Sequence, residues 1–286
     1  MVKKILGRSY IWLILILMYL PVLVLIAFSF TESVNIGQWA GFSFNLFPRL
    51  FSNRDIMIAL GNTVLIALIS AAISTLIGTL GAIGAFYSKR WWRNTIDLTT
   101  QIPVVNAEIV VAFSLTVMFV FIGKIIAAMG GDSYIFSFWT LLIGHCCLSV
   151  PFVYINVKPK LQQMDPSLYE AALDLGASPT KALGKVITPS IMPGIVSGFL
   201  ISVTLSLDDF IVTAFTRGAG LLSGNKNIET LSTLVQAKIK KGPIPPEMRA
   251  LTTIIFIAVV VAVVLVTLYR HNQDRKAAKA NRRVVQ

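Results

Sequence analysis

Charged side chains are scarce in this sequence: 13% of its 286 residues are Asp, Glu, Lys or Arg, against about 25% in an ordinary soluble domain. That shortage excludes a water-exposed globular surface over most of the chain. Cysteine is scarcer still, with only Cys146 and Cys147, adjacent inside an apolar run. Their placement excludes a disulfide framework or a metal knuckle, and they read as buried thiols. HExxH, GxSxG and any paired set of metal ligands are absent, so neither a metal site nor a hydrolytic centre is expected. No GxxxxGK[ST] occurs either, so the chain has no phosphate-binding loop and no catalytic role of its own. The net charge of +12 comes without a basic module interleaved with aromatics, which argues against nucleic acid as a partner. Internal repeats and low-complexity linkers are not visible.

What is present is hydrophobic: 55% of the residues, gathered in runs near the 20 or so residues that a membrane-spanning helix needs. Six helical spans are expected, at 10–30, 58–87, 103–123, 135–157, 190–216 and 250–270. In lipid each backbone N–H and C=O needs an internal partner, and these runs lack the alternation of a barrel strand, so the fold class is an all-α integral membrane protein. The basic start and long apolar run of the N-terminus, without a small-residue cleavage site, read as a retained signal-anchor helix. With the N-terminus inside, sixteen Lys and Arg fall on the cytoplasmic side and nine outside, six of those nine in or beside the long outer loop 217–249. The positive-inside rule therefore places both termini, and the loop 158–189, in the cytoplasm. The basic tail after Arg270 reads as a solvated end or an anchor in lipid headgroups.

The loop 158–189 interrupts this apolar chain with acids, lysines and prolines. Asp165-Pro166 is a helix start, because Asp caps free N–H groups and Pro suits the first helical position. Gly176 is placed as the stop, and Ser178-Pro179 opens a second short helix. Leu168, Ala171, Ala172 and Leu175 make an apolar stripe at helical spacing, while Glu170 and Asp174 put two like charges on one face. Such a segment either lies on its own protein or presents its small residues and acids to a basic partner.

Within it, EAALDLG (Glu170–Gly176) is followed nine residues later by VITP. The loop resembles the EAA signature of bacterial ABC importer permeases, EAA-x3-G-x9-I-x-L-P. Glu170, Ala171, Ala172, Gly176 and Pro189 match it, while Val186 and Thr188 stand for the Ile and Leu. SLDDFIVTAFT at Ser206–Thr216, GHCCLSVPFVYINV at Gly144–Val157 and LSTLVQAKIKKGPIPPEMRALTTIIF at Leu231–Phe256 are similar to the second permease subunit of spermidine/putrescine importers. The resemblance implies a type I ABC importer permease fold, one transmembrane domain over 1–286, in a bacterial cytoplasmic membrane. It implies that Glu170, Ala171, Ala172, Asp174, Gly176 and Pro189 belong to a cytoplasmic coupling helix and its motif, seated in a groove of an ATPase. The implied partners are an ABC ATPase dimer, which binds the ATP, a second homologous permease and an extracytoplasmic polyamine-binding protein docking on the outer loop. The chain itself carries no cofactor.

Asp208 and Asp209 lie inside the fifth expected span, where a carboxylate is costly unless it faces a water-filled cavity or a partner. They either line a path for a polycation, or one of them caps a kink or pairs with a cation on another subunit. Adjacent helical residues point about 100° apart, so the two are not expected to face a path equally. Glu108, near the cytoplasmic start of the third span, either lines the inner cavity or simply complements the helix N-terminus. Phe210 and Phe215 either gate the path and stack on ammonium groups, or pack in the core. His145 reads as a hydrogen-bonded packing residue. Gly194-Ile-Val-Ser-Gly198 marks a close helix contact. The rival readings are an importer permease for another small solute and an ion-coupled secondary transporter using Asp208, Asp209 and His145 for protons.

Overall fold

A computed structural model of the chain describes residues 2–33, 37–131, 135–165, 167–218, 228–242, 245–261 and 264. Among them there is no β-strand. In chain order the helices are α1 (Val2–Phe28), α2 (Leu46–Ser52), α3 (Arg54–Tyr87), α4 (Arg90–Val105), α5 (Glu108–Ala128) and α6 (Phe138–Gln163). They continue with α7 (Ser167–Asp174), α8 (Pro179–Ala182), a π-helical turn (Leu183–Ile187), α9 (Thr188–Asp208), α10 (Ile211–Thr216) and α11 (Leu231–Lys241). Residues 247–261 form a further helix, α12.

Five of the described helical segments are long and apolar enough to cross a membrane: Ser9–Phe28, Arg54–Tyr87, Glu108–Ala128, Phe138–Gln163 and Pro179–Asp208. The sixth expected span, 250–270, begins in α12, and its remainder and the tail lie outside the described residues. Two of the differences from the expected bounds have a local cause. The third span starts at Glu108 rather than 103, because Pro103 belongs to α4, an amphipathic helix with no continuous apolar run to announce it. The fifth ends at Asp208 rather than 216, because Asp209 leaves helical geometry and the chain restarts as α10.

The chain groups into two compact units. One comprises Met1–Met57 with Ala237–Gln286. In it Phe30 stacks on Phe42 at 5.6 Å and meets Phe44 and Phe47 edgewise or tilted, while Glu32 accepts hydrogen bonds from Ser43 and Asn45 and pairs with Arg49 at 3.3 Å. The guanidinium of Arg249 donates to the Ser33 carbonyl.

The other unit, Ile58–Gln236, contains both candidate sites. Its core is the packing of α9 along α6. The α9 residues Ile191, Gly194, Gly198, Ser202 and Ser206 are buried at spacings of three and four, one stripe of the helix. A side chain at Gly194 would sit 2.8 Å from the Asn156 carbonyl, and one at Gly198 would sit 3.0 Å from the Val153 Cα. The GxxxG pair thus lets the two backbones touch. Helix α6 starts with a capping box: Ser137 accepts from the Trp139 N–H, and Thr140 accepts from the Ser137 N–H at 2.8 Å. Near its far end, Asp97 of α4 takes hydrogen bonds from Tyr154 (2.5 Å) and Lys158 (2.6 Å). Partial burial would raise the Asp97 carboxyl, but these two donors and the charges of Lys158 and Arg93 outweigh it and hold it below the usual carboxylate value.

Candidate functional site

Two places stand out, one at the loop after α6 and one at the break after α9. In the loop, Asp165 Oδ1 accepts from the Ser167 N–H at 2.9 Å and opens α7; Pro166 lies outside the described residues. The helix ends as the sequence demands. Gly176 sits at φ +81°, where a side chain is strained, and the Ala177 N–H reaches back to the Ala172 carbonyl at 3.0 Å while the Gly176 N–H bonds to Leu173. Ser178 precedes α8, and the chain passes through the π-helical turn into α9, with Thr188 bonding back to the Leu183 carbonyl.

No residue of α7 is buried. Leu168 is 44% and Leu175 89% exposed, and Glu170, Ala171, Asp174, Gly176 and Pro189 are exposed as well, with Ala172 half-buried. The apolar stripe therefore does not lie on the rest of its own unit. Attachment comes from Tyr169, whose ring meets Tyr87 at the end of α3 (5.2 Å between centroids) and packs against the cluster of Val157, Leu161 and Ile187. Sequence reasoning missed Tyr169; its one signal was an aromatic on the flank of the apolar stripe of α7, about 100° round the helix from Leu168.

At the break, the two adjacent aspartates separate. Asp209 is buried: Oδ1 accepts from the Val212 N–H at 3.1 Å, and Oδ2 accepts from the Thr213 N–H (2.7 Å) and the Thr213 hydroxyl (2.8 Å). It is the N-terminal cap of α10, and by capturing those amides it stops α9. Its own carbonyl accepts from Ser232 at 2.7 Å. Behind it, His145 contacts Thr213 Oγ1 through Nε2 (2.9 Å) and Ser206 Oγ through Nδ1 (2.7 Å), and Ser70 donates to Ser206 at 3.1 Å. The proton directions follow from chemistry. A carboxylate only accepts, so Thr213 gives its single proton to Asp209 and accepts from His145 Nε2–H. Nδ1 is then left as the acceptor for Ser206. One neutral imidazole tautomer thus satisfies every member of the chain Ser70, Ser206, His145, Thr213, Asp209.

Asp208, one residue earlier, is exposed. So is Glu108, the first residue of α5, which lies within electrostatic reach of both Asp209 and Asp208. Phe210 is half-buried beside them. Helices α5 and α10 are tied here by Thr116, which donates to the Phe215 carbonyl at 3.2 Å, and by Ala112, Leu148 and Val212 packing together. None of the ion pairs among the described residues uses Glu108 or Asp208. The depth is fixed by α6: His145 is about 10 Å along it from Phe138, and Thr140 in its first turn donates to the Thr216 carbonyl at the end of α10. The break thus lies within the length of α6, and Glu108, at the start of α5 after α4, stands close enough to feel its carboxylates. Of the four expected path residues, the fold brings Glu108, Asp208 and Asp209 together and turns the Asp209 carboxylate away into the protein.

A bundle of apolar spans with an exposed EAA helix at one end and acids at an internal break defines a transport permease. Residues 74–279 match the family of binding-protein-dependent transport system inner membrane components, and the chain belongs to that family. Its relatives include the spermidine/putrescine transport system permease protein PotC of Haemophilus influenzae, 32% identical over 91% of this chain and 94% of that one. The PotC of Escherichia coli is 30% identical over 92% and 93%, and the putrescine transport system permease protein PotI of Escherichia coli is 31% identical over 87% and 86%. The fold is shared with a bacterial ABC transporter involved in the import of the acidic polysaccharide alginate, at a TM-score of 0.70 and 20% identity over 96% of this chain and 95% of that one. These homologues are permease subunits, not ATPases, and the reading as an ion-coupled secondary transporter falls with them.

Proposed function

We propose that the chain is one half of the transmembrane pore of an ATP-driven polyamine importer, acting by alternating access in a bacterial cytoplasmic membrane with both termini inside. A second homologous permease completes the pore, an extracytoplasmic binding protein delivers spermidine or putrescine, and an ATPase dimer that binds the ATP seats α7 in its groove. The observation that carries the cargo is the pair Glu108 and Asp208, exposed carboxylates at an internal break that take part in none of the ion pairs among the described residues. An unpaired carboxylate at membrane depth is costly unless water or a mobile cation serves it, and a polyamine is such a cation. The names of the relatives at 30–32% identity support the same cargo. The coupling role rests on the exposed Leu168, Ala171 and Leu175 beside Glu170 and Asp174, a surface that needs a partner in water.

Spermidine uptake into proteoliposomes of the whole complex tests this. Glu108→Gln with Asp208→Asn lowers uptake about tenfold or more, equivalent to about 1.4 kcal/mol of barrier, while the complex assembles normally. Unchanged uptake with ATP hydrolysis still coupled to transport would remove these carboxylates from the path.

A further inference from the structure

Helix α4 opens on a cluster of cations and aromatic rings. At its start, Lys89, Arg90 and Arg93 surround Trp91 and Trp92, whose rings meet edge to face at 4.8 Å and stand 68% and 55% exposed. Amphipathic rings beside cations are the composition of a membrane–water boundary. None of the ion pairs among the described residues involves Lys89, Arg90 or Arg93, and the nearby Asp97 is already held by Lys158 and Tyr154. A net positive patch remains.

Following the face of Trp92 along α4, Thr99 and Pro103 lie seven and eleven residues on, two and three turns further. Both line a cavity of about 560 Å³ whose other walls include Ile77 of α3 and Ile143, Cys147 and Val150 of α6. Its surface is almost wholly apolar. Thr99 and Thr100 bond back to the Thr95 and Ile96 carbonyls, so their hydroxyls are spent inside the helix. The axial distance from Arg90 to this cavity is about 14–20 Å, close to the roughly 15 Å depth of one leaflet's acyl region.

We propose that this is a binding site for one anionic phospholipid, with its phosphate on Lys89, Arg90 and Arg93, its glycerol at the tryptophans, and an acyl chain running up the Trp92 face of α4 into the cavity. Charge complementarity selects the headgroup, and the matched depth and apolar walls select the chain. The leaflet is the inner one, a clause that rests on the orientation proposed above; the site does not depend on the cargo.

The test uses the assembled complex in liposomes containing phosphatidylglycerol with a photoactivatable diazirine at the end of one acyl chain. After illumination, the label maps to the cavity walls, Ile143 and Cys147 among them. The same diazirine on phosphatidylcholine labels them about tenfold less, as does the anionic probe with Lys89→Ala, Arg90→Ala and Arg93→Ala combined. Ile143→Trp, which fills the cavity and leaves the cations in place, removes the label from α6 while ATP-driven uptake continues. Equal labelling by both probes, labelling spread evenly over every outward helix face, or a cavity shielded by a helix of the second permease would overturn the site. Accessibility of Ser88→Cys to an impermeant thiol reagent added outside would instead overturn the orientation, leaving the lipid site standing in the other leaflet.

Discussion

The α7 loop and the α9–α10 break are opposites. In the loop the charged residues are ordinary and the exposed leucines are the anomaly; at the break the exposed leucines and phenylalanines are ordinary and the carboxylates are the anomaly. Water makes an uncovered Leu175 costly, about 25 cal/mol per Å², so that residue signals a protein partner. Lipid reverses the rule: apolar exposure is free, and an uncovered Asp208 signals water or a cation. The break also contains its own control. Asp208 and Asp209 have the same chemistry at the same depth, and only one has its hydrogen bonds satisfied inside the fold.

That contrast is easiest to break at Asp209. Asp209→Ala strands the Val212 and Thr213 amides and the Thr213–His145 chain, a loss of about 3–5 kcal/mol. The complex is expected to unfold at markedly lower temperature in detergent and to accumulate poorly, whereas Asp208→Asn matches wild type in both measurements. Equal thermal stability of the two variants would mean that the cap is not what holds the joint. Next in size is Glu170→Lys, which places a cation in the proposed contact with the ATPase; co-purification of the ATPase is expected to fall about tenfold or more with the permease pair intact, and undiminished co-purification would take Glu170 out of the interface.

Tyr169→Ala sharpens the other side of the comparison. It leaves the outward face of α7 untouched but removes the ring that joins the helix to Tyr87 and the core cluster. The expected result is an ATPase that still binds and hydrolyses ATP while spermidine uptake per ATP drops several-fold; a preserved ratio would show that Tyr169 transmits nothing. The smallest effect belongs to Asp97→Asn, which keeps a Tyr154 contact and loses the charge opposite Lys158, a cost of about 1–2 kcal/mol. Because the folded-state carboxyl is held below its usual value, the wild-type advantage is full at neutral pH and fades as pH falls through the ordinary carboxylate range and below. Thermal melts of wild type and Asp97→Asn are therefore expected to draw together only below the ordinary carboxylate range, as pH falls through the lowered folded-state value, and a constant gap would argue against the ion pair.

Some of this was legible in advance for local reasons. Gly176 as the stop of α7 follows from backbone sterics within one turn, and the apolar runs announce spans because hydrogen bonding in lipid leaves no alternative. The α4 helix was missed because Arg93, Asp97 and Gln101 break its apolar runs, though its Trp91, Leu98, Ile102 and Val105 keep helical spacing. The division between Asp208 and Asp209 was out of reach. It depends on His145, sixty-four residues earlier, and on Ser232 at the start of α11.

By itself the sequence determined the membrane class, the helical character, the interrupting loop and its two short helices, since each follows from composition or from contacts within a turn or two. Only the tertiary structure decided which face of α7 is free, that Glu108 stands near Asp208, and which aspartate is structural. Those outcomes turn on which distant groups supply hydrogen bonds and cover, and in a bundle of apolar helices that is settled by packing rather than by any local preference of the chain.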